Sequence, residues 1–154
     1  MGGAELEPEQ KARFLEVQEE LSILSSRFND NLLDATNSYS LLVENTDELS
    51  GIPDDVLQAA RELAKKDGEI GWKFTLHAPS YIPVMQYADN RALREKMYRA
   101  YSTRASDIGS GEAELSTAQS DKKASLDNGP LIVRILQLRQ EEARMLGFEC
   151  YAEV

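Results

Sequence analysis

The residues best suited to chemistry gather between Pro79 and Arg104, where Tyr81, Tyr87, Tyr98 and Tyr101 are interleaved with Arg91, Arg94, Arg99 and Arg104. Aromatic rings alternating with guanidinium groups can stack on nucleotide bases or hold a carboxylate. They can equally form a half-buried stripe whose arginine stems lie along apolar surface while the charged heads meet acidic neighbours. The charge distribution favours the second reading. Residues 1–70 carry 16 Asp and Glu against 6 Lys and Arg, whereas residues 71–154 carry 11 of each. The tyrosines are therefore expected to be half core, and the arginines to answer the acids of the first helix. A small-ligand site lined by Tyr81, Tyr98 and the arginines is the competing expectation.

Other reactive side chains lack partners in the sequence. His77 is the only histidine, so a metal held by two histidines is excluded and a catalytic role would need a nucleophile beside it. At the end of an apolar alternation and before Pro79, it reads as a surface or capping residue. Cys150 is the only cysteine; an internal disulfide is excluded, and its apolar neighbours predict a buried thiol. Asn29, Asp30, Asn31 and Asp34 bring oxygen ligands together without the spacing, glycine or glutamate of a calcium loop, and read as helix-end and turn residues. Gly109-Ser110-Gly111 lacks the Gly-Lys-Ser/Thr ending of a phosphate loop. No catalytic, cofactor-binding or metal-binding residue is assigned.

The elements that would position these residues are mostly helical. Phe14, Val17, Leu21, Leu24 and Phe28 follow a 3, 4, 3, 4 spacing, a heptad seam on a helix over roughly residues 8–33 that opens at Pro8. Leu15, Ile23, Leu32 and Leu33 widen this seam into the broader stripe of a globular helix; pairing of the seam with another chain is the alternative. Residues 39–43 and the alternating 72–76 read as two strands, with Trp72, Phe74 and Leu76 on one face and either pairing direction open. Thr46 or Asp47 is expected to cap a short turn. Pro53, Asp54 and Asp55 open a second helix with Val56, Leu57, Ala60 and Leu63 on its stripe, and it closes at Lys65, Lys66 and Gly68. Pro79 and Pro83 predict a short helical turn or irregular crossing. Asp89 or Asn90 then caps a helix carrying Leu93, Met97 and Tyr101 on one face. Residues 106–129 read as a flexible polar loop. Asp127-Asn128-Gly129-Pro130 starts a last helix with Leu131, Ile135, Leu138, Met145 and Leu146, and Gly147-Phe148 reads as its Schellman ending.

The whole is one helical segment over 1–154, mainly α, with long helices packed as a lobe and a small two-stranded β element at about 39–43 and 72–76. Hydrophobic residues make up 42% and charged residues 29% of the chain, with a net charge of −10. This balance excludes the clustered basic face that nucleic acid needs. No apolar run approaches the ~18–20 residues of a membrane helix. With a single cysteine and no apolar leader at the N-terminus, the expected location is cytoplasmic.

Several blocks in one order carry a family resemblance: Asn31-Leu-Leu-Asp-Ala-Thr-Asn37, Pro79-Ser-Tyr-Ile-Pro-Val-Met-Gln-Tyr-Ala-Asp-Asn-Arg91, Leu93-Arg-Glu-Lys-Met-Tyr-Arg-Ala-Tyr-Ser-Thr-Arg104, then Asp127-Asn128, Leu131-Ile132, Leu146-Gly-Phe148 and Tyr151-Ala-Glu153. Together they resemble the oligopeptidase A branch of the thimet-oligopeptidase-like zinc metallopeptidases, from about Leu6 to Glu153. The resemblance implies a mainly helical protein of two lobes around a narrow channel, hydrolysing short peptides with a zinc-bound water. It implies zinc held by an H-E-x-x-H helix and a downstream glutamate, the motif glutamate being the general base. This sequence has no H-E-x-x-H, so none of those roles transfers to a residue here. The expected role is a segment of the first lobe that contributes channel-wall architecture and not catalysis, with zinc and short peptides belonging to the full-length family and the catalytic lobe as its partner. The alternative is a helical interaction module that uses the Phe14 to Phe28 seam.

Overall fold

The computed structural model describes residues 6–108 and 126–154. The expected loop at 106–129 lies mostly outside the described residues. Contacts divide the chain into two compact units, Met1–Asn31 with Asp127–Val154, and Leu32–Leu126.

Helix α1 (Pro8–Asn37) has 30 residues and runs past the expected end near residue 33. From Glu9 to Asn37 it contains neither Gly nor Pro, so nothing in the sequence interrupts it, and its length is about 45 Å at 1.5 Å per residue. The asparagines and aspartates expected to end it lie within it. The polar close comes later: Thr36 Oγ1 donates to the Leu32 carbonyl and Ser38 Oγ to the Ala35 carbonyl.

In the first unit α1 runs antiparallel to the last helix. For the second unit the elements are β1 (Ser40–Val43), a 3₁₀ turn (Thr46–Leu49), α2 (Asp54–Lys66), β2 (Trp72–Thr75), α3 (Ala78–Tyr87) and α4 (Arg91–Ser102). The strands are the expected two, and they pair antiparallel with Leu41 opposite Phe74 and Val43 opposite Trp72. That register puts Leu42 on one face and Leu41, Val43, Trp72 and Phe74 on the other. There Val43 and Phe74 join Val84, Leu93 and Met97 in the core, and α2 packs on β2. A two-stranded ribbon needs such a cover to persist in water.

Local chemistry explains most element ends. Asn45 caps the 3₁₀ turn by accepting from the Asp47 amide, so neither Thr46 nor Asp47 is the cap: an Asn side chain reaches the amide two residues ahead of it. Asn90 caps α4, accepting from the amides of Ala92 and Leu93. The stretch from Pro79, read as a short helical turn or an irregular crossing, is a ten-residue helix with Pro83 inside it. Pro79 sits in the first turn, where its missing N–H costs nothing. Pro83 removes one interior bond, a loss of about 3 kcal/mol, and burial of Val84 and Ala88 beside it offsets that cost.

Helix α5 (Gly129–Met145) closes the described chain together with a short 3₁₀ turn (Tyr151–Glu153). Its C-terminus is the Schellman motif the sequence predicts: the Gly147 amide donates to the Arg144 carbonyl, and the Phe148 amide reaches back to Ala143. Gly147 has φ +84°, the left-handed conformation this motif requires. No helix among the described residues is long and apolar enough to cross a membrane.

Candidate functional site

The Tyr and Arg block divides into an inward and an outward half. Tyr81 on α3 and Tyr101 on α4 stack with ring centroids 4.1 Å apart and 10° between their planes. The Arg104 guanidinium lies 3.5 Å from the Tyr101 ring centre, with its Nε making no hydrogen bond among the described residues. This makes a three-layer sandwich, ring on ring on cation. Ser80 beside it accepts from the Thr75 amide and ties the start of α3 to β2. Burial pushes the Tyr81 phenol above its ordinary value, and Tyr101 and Tyr98 act in the same direction. Arg104 acts in the opposite direction and does not reverse the shift.

Tyr87 and Tyr98 face outward and are exposed. Arg94 and Arg99 find acceptors close at hand. Arg94 donates to the carbonyls of Ala88 and Asp89, and Arg99 pairs with Glu95 one turn back at 2.8 Å. Each finds a nearer acceptor than net charge suggested. On α1, Glu20 accepts from Arg134 of α5 through two bonds of 2.6 and 2.7 Å, and Arg13 donates to Glu141 of α5 through two of 2.7 and 3.1 Å. Arg13 also reaches Glu16. The Arg134 bond lowers the pKa of Glu20 and the Arg13 bond that of Glu141, while both arginines are raised.

Between and beyond these rungs lies the core of the first unit. Val17 and Leu138 are fully buried and Phe14 and Leu131 nearly so. The seam from Phe14 to Phe28 is thus spent within this chain at its first two positions and half-buried at the rest, which does not favour its use as a surface for another chain. Farther along, Asn31 Nδ2 donates to Asn128 Oδ1 at 2.9 Å, and Asn128 Nδ2 donates to the Phe28 carbonyl at 3.0 Å. Both asparagines are buried. Asn31 is therefore a packing clamp between the two helices of this unit. Neither clamp nor ladder is signalled in the sequence, since the partners lie 97 to 128 residues apart.

The remaining candidates stand apart from these groups. His77 is exposed at the position preceding α3, makes no capping bond with its side chain, and offers its carbonyl to the amides of Ser80 and Tyr81. Cys150 is exposed, not buried as its apolar neighbours predict. The chain turns out of α5 at Gly147, and Cys150 falls on the outer side of the following turn, with its amide on Glu153. Among the described residues no group of three or more His, Cys, Asp or Glu could hold a metal ion, so the side chains described do not fit a zinc site.

Relatives supply what the geometry does not. No protein-family model matches the chain. The chain is 44% identical over all 154 of its residues to oligopeptidase A of Haemophilus influenzae, and covers 21% of that protein. It is 43% identical over 152 residues to oligopeptidase A of Escherichia coli, again 21% of the relative, and 40% identical over 161 aligned positions to the probable cytosolic oligopeptidase A of Arabidopsis thaliana. The chain is a homologue of one segment of oligopeptidase A and spans about a fifth of the length of these relatives.

Proposed function

We propose that this chain is a structural segment of a zinc-dependent metallo-oligopeptidase, building part of the helical wall of its substrate channel and performing none of its chemistry. The observation that carries this reading is the 44% identity to oligopeptidase A along the entire chain. Its confinement to architecture is supported by the residue inventory: with one histidine, no H-E-x-x-H can lie in these 154 residues. Zinc, short-peptide hydrolysis and the general base belong, in this reading, to polypeptide that corresponds to the rest of the relatives, and a catalytic lobe there is the partner of this segment. The segment has no catalytic, cofactor-binding or metal-binding residue of its own, takes neither nucleic acid nor membrane as a partner, and works in the cytoplasm.

The test has two arms. The purified 154-residue chain is given a quenched fluorescent peptide with zinc, with and without chelator. The same chain is then substituted for the matching segment of the Haemophilus influenzae relative, and the chimera is assayed identically. We expect no hydrolysis from the isolated chain and chelator-sensitive hydrolysis from the chimera. Chelator-sensitive turnover by the isolated chain, or a folded chimera without turnover, refutes the reading.

A further inference from the structure

Helix α5 is apolar on two sides. Leu131 and Leu138 are buried in the first unit, but Ile132, Val133 and Leu136 on another side are 46%, 58% and 58% exposed. A helix with an apolar stripe on more than one side belongs between two layers, not at the edge of one. Where α5 lies beside α1, Phe28, Ile132, Ile135, Leu136 and Arg139 line an open groove of about 320 Å³. Its only charged member is Arg139, whose guanidinium lies over the Tyr151 ring at 4.9 Å. Among the described residues no carboxylate pairs with Arg139.

We propose that this groove seats a third helix. That helix would be amphipathic, supplied by the polypeptide corresponding to the remaining four fifths of the relatives, with apolar side chains at i, i+3 or i+4 and i+7 and a carboxylate placed to meet Arg139. The proposal rests on the reading of the chain as a segment of a longer oligopeptidase and goes further by naming the surface and the chemistry of its partner. Two antiparallel helices bury one face each, and a helix laid in the groove between them completes a three-helix core. The length of the relatives outside the matched region provides the occupant: the chain covers 21% of the Haemophilus influenzae protein. Charge argues against a second copy, because a net charge of −10 makes self-association repulsive, whereas one carboxylate set against Arg139, which stacks on Tyr151 but meets no carboxylate among the described residues, is complementary.

The experiment is cysteine labelling in the isolated chain and in the chimera described above. Ile132→Cys and Leu136→Cys are made separately in a Cys150→Ser background, with Leu15→Cys, exposed on α1 and off the groove, as the control. Modification by a maleimide is read peptide by peptide with mass spectrometry. We expect residues 132 and 136 to be modified at least tenfold more slowly in the chimera than in the isolated chain, while residue 15 stays reactive in both. Equal rates at 132 and 136 in the two proteins overturn the proposal. So does protection in the isolated chain: protection that disappears on dilution identifies a second copy as the occupant, and protection that persists shows that the chain covers its own groove. An active chimera with reactive 132 and 136 refutes the groove but leaves the proposed function standing. Protection in an inactive chimera does the reverse.

Discussion

Asn128→Ala tests the clamp on which the start of α5 depends. Asn128 is 2% exposed and Asn31 8%, so neither amide can turn to water when its partner is lost. Truncation removes the bond from Asn31 Nδ2 and the bond to the Phe28 carbonyl. Phe28 lies inside α1, where the helix already offers its carbonyl an amide, so little is lost there. The cost falls on the Asn31 amide, left buried without an acceptor, at about 1–3 kcal/mol. Capping contributes nothing, because the Asn128 side chain makes no capping bond. We expect a loss of about 2 kcal/mol, a shift of roughly thirtyfold in the folding equilibrium. Urea unfolding followed by far-UV ellipticity measures it, and amide exchange along α5 localises it.

Double mutants separate this account from simple loss of packing. Asn31→Ala alone strands the Asn128 oxygen and should cost a similar amount. The double alanine variant should cost about 1 kcal/mol less than the sum of the two, since the bond can be broken only once. Replacing both residues by leucine should come close to neutral, because no polar group is then left unpaired. Additive single effects, or a loss below about 0.5 kcal/mol for Asn128→Ala, would mean that the two amides are not coupled in solution and that the clamp argument is wrong.

The carboxylates of the ladder predict an acid response. Glu20 and Glu141 sit below their ordinary value near 4.5 in the folded chain, so their stabilisation is present above that value and drains away as pH falls through the folded pKa. Thermal midpoints taken down a pH series should fall less steeply for the Glu20→Gln/Glu141→Gln double variant than for the parent, with Asp67, lowered by Lys73 in the other unit, supplying a shared background. Gly147→Ala should cost about 1–2 kcal/mol from its left-handed backbone alone, since no atom lies within 4 Å of an added methyl. Gly51→Ala should cost more in the same unfolding assay, because its φ is +86° and its methyl would collide with the Tyr87 carbonyl. Val17→Ala and Leu138→Ala, both at 0% exposed positions, should each lose about 1–4 kcal/mol; losses under 0.5 kcal/mol at both would deny that α1 and α5 share a core.

What the sequence made legible was local. Asn90, Gly68, Pro130 and the Gly147-Phe148 ending are read from residues within five positions of one another, and each stands where capping chemistry places it. The strands were legible because Phe74 and Leu76 alternate with polar residues over a short span. What was hidden was long-range or competitive. Arg13 with Glu141 and Asn31 with Asn128 are common residue types without local periodicity, and only the antiparallel course of α1 and α5 brings them together. Arg94 and Arg99 went elsewhere than expected because net charge is a property of whole segments, whereas pairing is settled within a few ångströms: Arg99 met Glu95 on its own helix before any more distant acid could matter. Cys150 was misplaced for a related reason. Apolar neighbours in sequence share a face only inside a regular element, and the helix had already ended at Gly147.

The Tyr81, Tyr101 and Arg104 sandwich marks the same boundary between composition and geometry. Its residue types are those of a stacking site, but its geometry is already complete: the two rings face one another, and Tyr101 carries the guanidinium. A base or a peptide side chain would have to displace a partner already in van der Waals contact, and would gain only the difference between two similar stacks. The groove beside Leu136 presents the opposite case. Its lining is mostly apolar, with Ser25, Asn29 and Arg139 as the polar members, yet among the described residues Ile132 and Leu136 stay exposed and no carboxylate meets Arg139. Among the described residues, unfinished packing directs attention to a partner more strongly than the residues that resemble a binding site. That is why the interaction proposed here is placed on α5 and not on the tyrosines of α3 and α4.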